Sequence, residues 1–379
     1  MNALGKNIKR YQLPILIALT SKILILFFIK KLSVYIIPNA GTINLSVWNL
    51  WNVWDAPHYV SIASSGYQKL GDEANFIAFL PLLPVLIFVS KFIFQTSYLI
   101  AGYIVSFFTS LLLSIMLYKL TLLDYPKKTA ILAVIMLFIF PTAFFLHIPY
   151  TESLFILLSV AAFYSIRKKN YWVSFLFVGL ATATKVAGLA LIPAIFAEIL
   201  FFDRQYFRKV SIYKKLGISL IGLVVSLSGF LIYLTLNYFL FGNFFYFTIV
   251  REQNWFVTFS PFGKGLIGVF QSLSWRMGLD RIMLGYAQII AFFLGLIMSV
   301  YALVKIRFSY GIFMIIVLWL SFSMSFWLGM PRFILSLFPM YIILALFSNN
   351  IIFKYTWILL SITLLIFFSV IFIQWGAVL

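Results

Sequence analysis

The chain has 379 residues, 64% of them hydrophobic, 20% aromatic and only 10% charged, with 28 Lys and Arg against nine Asp and Glu and no cysteine. A soluble domain carries about a quarter charged residues, so this chain has too few charges to cover a water-exposed surface. That excludes a cytosolic enzyme, a disordered tail protein, a disulfide scaffold and a thiolate metal site, and leaves an all-α polytopic membrane protein.

In chain order, the N-terminus MNALGKNIKR precedes an apolar run. No small-residue cleavage site follows and Lys30 and Lys31 come next, so the run reads as a retained first span rather than a signal peptide. A helical span needs about 20 apolar residues, fewer within a broken pair. On that measure spans are predicted at 12–36, 98–118, 129–148, 152–166, 171–184, 186–202, 216–240, 283–304, 309–327, 332–348 and 355–375. The run 76–95 is ambiguous, with Pro81 and Pro84 near its start and Lys91 near its end.

Charge parity decides how 76–95 is read. If it lies along the outer interface, 17 Lys and Arg fall in inner loops and six in outer ones. The inner groups are Lys6 to Arg10, Lys119 to Lys128, Arg167 to Lys169, Arg204 to Lys215, Lys305 to Arg307, and Lys354. If it crosses, 14 of the 17 move outside, against the tendency of cytoplasmic loops to collect Lys and Arg. The expectation is therefore a single domain, 1–379, of about eleven transmembrane helices with its N-terminus cytoplasmic. A first outer loop, 37–97, carries an interfacial helix, and a second outer loop spans 241–282. The net charge of +19 reflects inner loops facing the bilayer surface rather than a nucleic-acid partner. The basic stretch 203–215 reads as a solvated inner loop. No repeat, second soluble domain or low-complexity linker is apparent.

In this topology the outer face gathers Asp55, Asp72, Glu73, Glu152, Glu252 and Asp280, both histidines (His58 and His147), Lys185 and Arg332. Ionisable groups beside a bilayer are expensive and are functional candidates by default. The first cluster is W51-N-V-W-D-A-P-H-Y59. Asp55 lies among apolar neighbours as a candidate general base, and His58, three residues on, shares its face on a helical turn. The spacing equally suits Asp55 as a helix N-cap before Pro57. Trp51, Trp54 and Tyr59 fit either a sugar-stacking wall or an interfacial aromatic belt. In P141-T-A-F-F-L-H-I-P-Y-T-E-S153, Thr151 is expected to cap a helix and Glu152 to occupy its first turn, where the dipole favours an anion. A capped turn leaves His147 unexplained.

Lys185, in G-L-A-T-A-T-K, stands between two short apolar segments. A cation at such a break suits a phosphate or carboxylate, or simply snorkels. Arg251, Gln253 and Trp255 in the second outer loop offer charge, hydrogen bonding and a stacking plane, or an amphipathic loop on the lipid surface. Arg332, in M-P-R-F, suits bidentate phosphate binding or headgroup contact. No Walker loop, glycine-rich dinucleotide fingerprint or Ser–His–Asp order is present, so an activated nucleotide sugar lacks its usual binding domain. Two histidines without cysteine make a zinc site a poor fit, and no cofactor or metal is expected. A lipid-linked sugar flippase or other transporter, with charge strung through mid-membrane, and a non-catalytic membrane scaffold are the alternatives to an enzyme.

Taken together, the blocks resemble the GPI mannosyltransferase II (PIG-V type) family of GT-C-fold, polyprenyl-phosphate-sugar-dependent glycosyltransferases. The resemblance runs over most of the chain. W54-D-A-P-H-Y-V-S-I-A-S-S-G-Y67 is similar to the family's W-D-x-x-H-[FY]-x-x-I-A-x-x-G-Y, and F79-L-P-L-L-P84 to its F-x-P-L-x-P. P149-Y-T-E-S-L-F155, G179-L-A-T-A-T-K185 and M330-P-R-F-I-L335 resemble further blocks. The family often has Arg where Lys185 stands, so the charge is kept without the bidentate fork.

The resemblance implies a multi-pass cell-membrane mannosyltransferase with an extracytoplasmic active site. It would take a sugar from a polyprenyl monophosphate donor and pass it, with inversion, to a glycolipid, glycan or protein acceptor. Asp55 would be the base and Lys185 and Arg332 would hold the phosphate, with Arg251 a further candidate. His58 and Glu152 would orient the acceptor or Asp55. Trp51, Trp54, Tyr59, Tyr150 and Gln253 would line the substrate site.

Overall fold

A computed structural model describes residues 3–36, 46–202, 211–260 and 263–374. Residues 37–45 of the expected first outer loop, 203–210 of the basic stretch and position 375 of the last expected span lie outside the described residues. Helix α1 (Ala3–Ile23) continues through a π turn, Leu24–Phe28, into Ile29–Ile36. The first loop region supplies α2 (Asp55–Ser65), a 3-10 turn at Asp72–Ala78 and α3 (Leu82–Phe94). There follow α4 (Tyr98–Thr121), α5 (Lys127–Phe138), α6 (Glu152–Arg167), α7 (Tyr171–Thr182), α8 (Leu191–Phe202) and α9 (Ile212–Phe241). The second loop region carries α10 (Tyr246–Trp255) and α11 (Lys264–Ser272). The chain ends with α12 (Ala287–Tyr301), α13 (Phe308–Phe322), α14 (Met330–Leu335), α15 (Pro339–Phe347) and α16 (Ile351–Ile373). Among the described residues the β contact is one antiparallel bridge, Phe259 with Met324.

The chain is a multi-pass helical membrane protein, but helix lengths revise the expected spans. Five stretches among the described residues are long and apolar enough to cross a bilayer: Arg10–Leu32, Tyr98–Thr121, Gly217–Phe241, Gly278–Ile306 and Ile351–Ile373. The expected span 129–148 stops at Phe138 and gives way to a 3-10 turn at Ala143–Leu146. The expected span 309–327 ends at Phe322, and 332–348 divides into α14 and α15 around Ser336–Phe338. Apolar composition does not register such breaks. A helix of 12 residues is about 18 Å long, well short of the ~30 Å hydrocarbon layer. The run 76–95 is broken too. Its two arms, Asp72–Ala78 and Leu82–Phe94, meet at 111°, because the segment carrying Pro81 cannot continue an incoming helix.

α6 is the central element, buried along nearly its whole length and packed by α4, α7 and α8. Its serines turn back into the helix or onto neighbours, as Ser159 Oγ does in donating to the Phe155 carbonyl (2.8 Å). The ends of the bundle differ in chemistry. One end carries Arg167, which donates to Asp124 (2.5 Å) and Tyr310 (3.1 Å), and Arg307, which donates to Glu198 (2.9 Å). The other end gathers Asp55, Glu152, Lys185 and Arg332.

α7 and α9 lie backbone to backbone. A Cβ on Gly229 would run into the Gly179 carbonyl and the Ala183 N–H, and Thr182 Oγ1 donates to the Ser226 carbonyl across the seam (3.1 Å). Gly229→Ala should therefore push α9 away from α7, the helix that ends before Lys185, costing about 1–3 kcal/mol by overpacking. A lowered thermal midpoint in detergent checks this, with Gly217→Ala, where nothing lies within 4 Å of the new Cβ, as the unperturbed control.

Candidate active site

Asp55 owes its position to a distorted backbone and one phenol. Trp54, immediately before it, sits at φ 58°, ψ −116°, a region costly for a residue with a side chain. The turn is held by Tyr150, whose hydroxyl donates to the Val53 carbonyl (3.0 Å) and accepts from the Asp55 N–H (3.0 Å). Asp55 thus opens α2 as its first residue. The helix has no side-chain N-cap bond, so the capping alternative is not how Asp55 is used.

Glu152 opens α6, and its side chain is fully buried. The preceding Thr151 takes the N-cap position without a side-chain capping bond, contrary to expectation. Glu152 Oε1 accepts from two cations, Lys185 Nζ at 2.8 Å and Arg332 Nε at 2.6 Å. Arg332 Nη1 reaches on to Asp55 Oδ2 at 2.6 Å. Two carboxylates and two cations therefore form one chain, Lys185–Glu152–Arg332–Asp55. The arginine rests against a pair of neighbouring aromatics, its guanidinium carbon 4.6 Å from the Tyr150 ring centre and 4.9 Å from that of Phe145. Such cation–π contacts suit a desolvated guanidinium.

Each cation is delivered by a helix break. Lys185, in extended conformation, follows the end of α7 and precedes a 3-10 turn at Val186–Ala190. Gly188 folds so closely on the Ala181–Thr182 backbone that a Cβ there would collide with it. The Leu82 N–H from the first loop region donates to the Ala183 carbonyl (3.1 Å), tying the two regions together. Lys185 turns inward to Glu152 instead of snorkelling. Arg332 lies on α14, which begins with Pro331 in its first turn. Buried Gln288 fastens that turn, accepting from the Met330 N–H at 2.8 Å and donating to the Met283 carbonyl at 3.0 Å. Thr142 Oγ1 donates to the Pro331 carbonyl (3.1 Å).

His58 faces an aromatic cluster rather than the ion chain. Its ring stacks on Phe79 (4.9 Å, 15°) and meets Phe76 and Trp255 edge-on (4.6 and 6.5 Å). Burial lowers the pKa of the imidazole, and the Asp55 charge opposes that shift. Tyr59 packs edge-on to Phe79 at 5.1 Å, and burial raises the pKa of its phenol. The two loop regions join here. Asn254 donates to the Asn75 side chain (3.0 Å), and Tyr233 of α9 anchors the first loop region by donating to the Ile77 carbonyl (2.6 Å). Beyond α10, Thr258 and Ser260 pair with Ser323 and Ser325, through Ser325 N to Thr258 O at 3.0 Å and Ser260 N to Ser323 O at 2.7 Å.

The remaining candidates are scattered. Trp51 is fully buried against Phe144 and Phe372 and is closed to a sugar. Trp54 is 37% exposed. Tyr150 is buried and spends its hydroxyl on the backbone, so it positions Asp55 rather than touching a ligand. Arg251 Nη2 lies 3.9 Å from Met324 Sδ and Gln253 is exposed. Neither bonds to the ion chain among the described residues. His147 is buried below, with Nε2 3.0 Å from Ser21 Oγ and its carbonyl accepting from Lys22. Among the described residues no group of three or more His, Asp or Glu is arranged to hold a metal. The positioning roles of Tyr150, Gln288 and Thr142 had no signal in the sequence beyond polar residues in apolar runs.

A family model for Mannosyltransferase (PIG-V) matches residues 31–374. The fold is similar to crystal structures of the Archaeoglobus fulgidus oligosaccharyltransferase. To the apo form the TM-score is 0.50 at 13% identity, covering 99% of this chain and 57% of that one. To the form tethered with an acceptor peptide containing the NVT sequon it is 0.48 at 15%, covering 98% and 55%. To the complex with Zn and sulfate it is 0.46 at 17%, covering 96% and 53%. The chain thus spans just over half the length of those chains, and the likeness to the apo form speaks for the fold alone. No curated protein matches the chain. The family match over nearly all of the sequence, on a helical membrane fold, establishes that this chain belongs to the mannosyltransferase (PIG-V) family.

Proposed function

We propose that the chain transfers mannose from a polyprenyl monophosphate donor to a hydroxyl of a glycolipid, glycan or protein acceptor on the extracytoplasmic face of the cell membrane. The observation that carries this reading is the ion chain. A partly exposed carboxylate, Asp55, lies 2.6 Å from a cation that is in turn linked through Glu152 to a second one. A base next to a paired cationic site is what displacement of a lipid phosphate from an anomeric carbon requires.

In the reaction the acceptor oxygen forms its bond to the anomeric carbon while its proton passes to Asp55. The bond from that carbon to the phosphate oxygen breaks, and polyprenyl phosphate leaves with the electron pair. A single displacement inverts the anomeric centre. Arg332 and Lys185 neutralise the charge that develops on the leaving phosphate, and no metal is assigned a role. Trp54, exposed beside Asp55, provides a stacking plane for the sugar. His58, in its aromatic pocket, orients the acceptor side. A flippase would call instead for charge distributed across the bilayer, which this end-on cluster does not supply.

Purified protein given labelled polyprenyl-phosphate mannose and a membrane extract should transfer label, and Asp55→Asn should lower turnover by about 10²–10⁴-fold. Near-normal turnover in that variant removes Asp55 from the base role. Lys185→Met should lose about 10²–10³-fold, and Lys185→Arg should keep most activity, since it restores the charge. Equal activity in the Met variant sinks the phosphate assignment. Orientation is read with single cysteines, for which the cysteine-free chain gives no background. On intact cells an impermeant maleimide should label Leu70→Cys, at a residue 86% exposed, and spare Lys168→Cys; the reverse pattern places the site on the cytoplasmic side.

A further inference from the structure

The two carboxylates of the ion chain differ in what they can give up. Glu152 is fully buried and holds both cations on one oxygen. Removing either cation would leave a charge in a low-dielectric interior, at a cost of several kcal/mol. Asp55 has 28% of its side chain exposed, and its one ion pair in the chain is to Arg332 through Oδ2. Its backbone is pinned by Tyr150, so the carboxylate can turn toward water about its own side-chain bonds without disturbing α2. An anion arriving at Arg332 therefore competes with Asp55 and not with Glu152.

We propose that Asp55 is latched by Arg332 in the resting protein and released when the donor's phosphate takes its place, with Glu152 as the fixed positioning residue that keeps Arg332 and Lys185 in register throughout. This rests on the donor class proposed above and adds an order to it: the base becomes free only on a donor-loaded enzyme. The exchange is balanced in charge. Lys185, Arg332, Glu152 and Asp55 sum to zero formal charge, the phosphodiester brings one negative charge, and Asp55 then carries the uncompensated one until it accepts the acceptor's proton. A free hydroxyl meeting the protein without donor finds a carboxylate whose Oδ2 is already occupied by a guanidinium.

The chain has only five aspartates, so carbon-13 labelling of aspartate carboxyls gives a spectrum in which Asp55 is identified by its loss in Asp55→Asn. Full-length protein in nanodiscs is titrated with a long-chain polyprenyl monophosphate, and binding is followed independently by its phosphorus-31 line. Binding should move the Asp55 resonance towards its position in lipid-free Arg332→Gln, or in Arg332→Lys if the Gln variant does not fold, while the resonances of Asp72, Asp124 and Asp280 stay. Lipid that binds without moving the Asp55 resonance overturns the latch and leaves the donor reading standing. Lipid phosphate that does not bind at all overturns both.

Discussion

The buried carboxylate of Glu152 is the constraint around which the rest of this protein is arranged. An unpaired negative charge at the head of a buried helix would be prohibitive, so Lys185 and Arg332 must both reach it, and each must come from a different part of the chain. That requirement explains why helices break where they do. α7 stops before Lys185 and α14 carries Pro331 in its first turn, so that two cations point across the bundle at one oxygen. Asp55 joins as the fourth and most exposed member, drawn in by the far end of the same guanidinium.

Around this chain the non-ionic contacts serve alignment. Tyr150 pins the turn before Asp55, and Gln288 and Thr142 pin the turn before Arg332. The Thr258–Ser260 strip, paired with Ser323–Ser325, couples the second loop region to the residues leading into α14. His58, Phe76, Phe79 and Trp255 weld the two loop regions beside the site. This member of the mannosyltransferase (PIG-V) family thus assembles its ion chain by converging irregular segments on a helical frame, in keeping with the rule that non-helical backbone at membrane depth is tolerated where protein buries it.

The sequence made the charged members legible and the neutral ones opaque. Asp55, Glu152, Lys185 and Arg332 stand out because ionisable groups are rare in this chain and each sits where an apolar run is interrupted. Tyr150 and Trp51 carry no such mark, since an aromatic near a motif reads the same whether it faces a cavity or fills the core, and both are buried here. Gln288 and the strained Trp54 backbone had no local signature: one works through partners about 40 residues away, the other through a torsion imposed by Tyr150. Helix breaks inside apolar runs are silent for a related reason. Hydropathy measures what surrounds a segment, and 139–151 and 336–338 are apolar because protein surrounds them, not because they are helical.

α5, α7 and α13 run for 12, 12 and 15 residues and all stop at the end of the bundle that carries Asp55. At 1.5 Å per residue they rise only about 18–23 Å, several ångströms less than the hydrocarbon layer. That end of the bundle is therefore completed by the irregular segments that follow these helices, 139–151, 183–190 and 323–329, rather than by continuous α-helix.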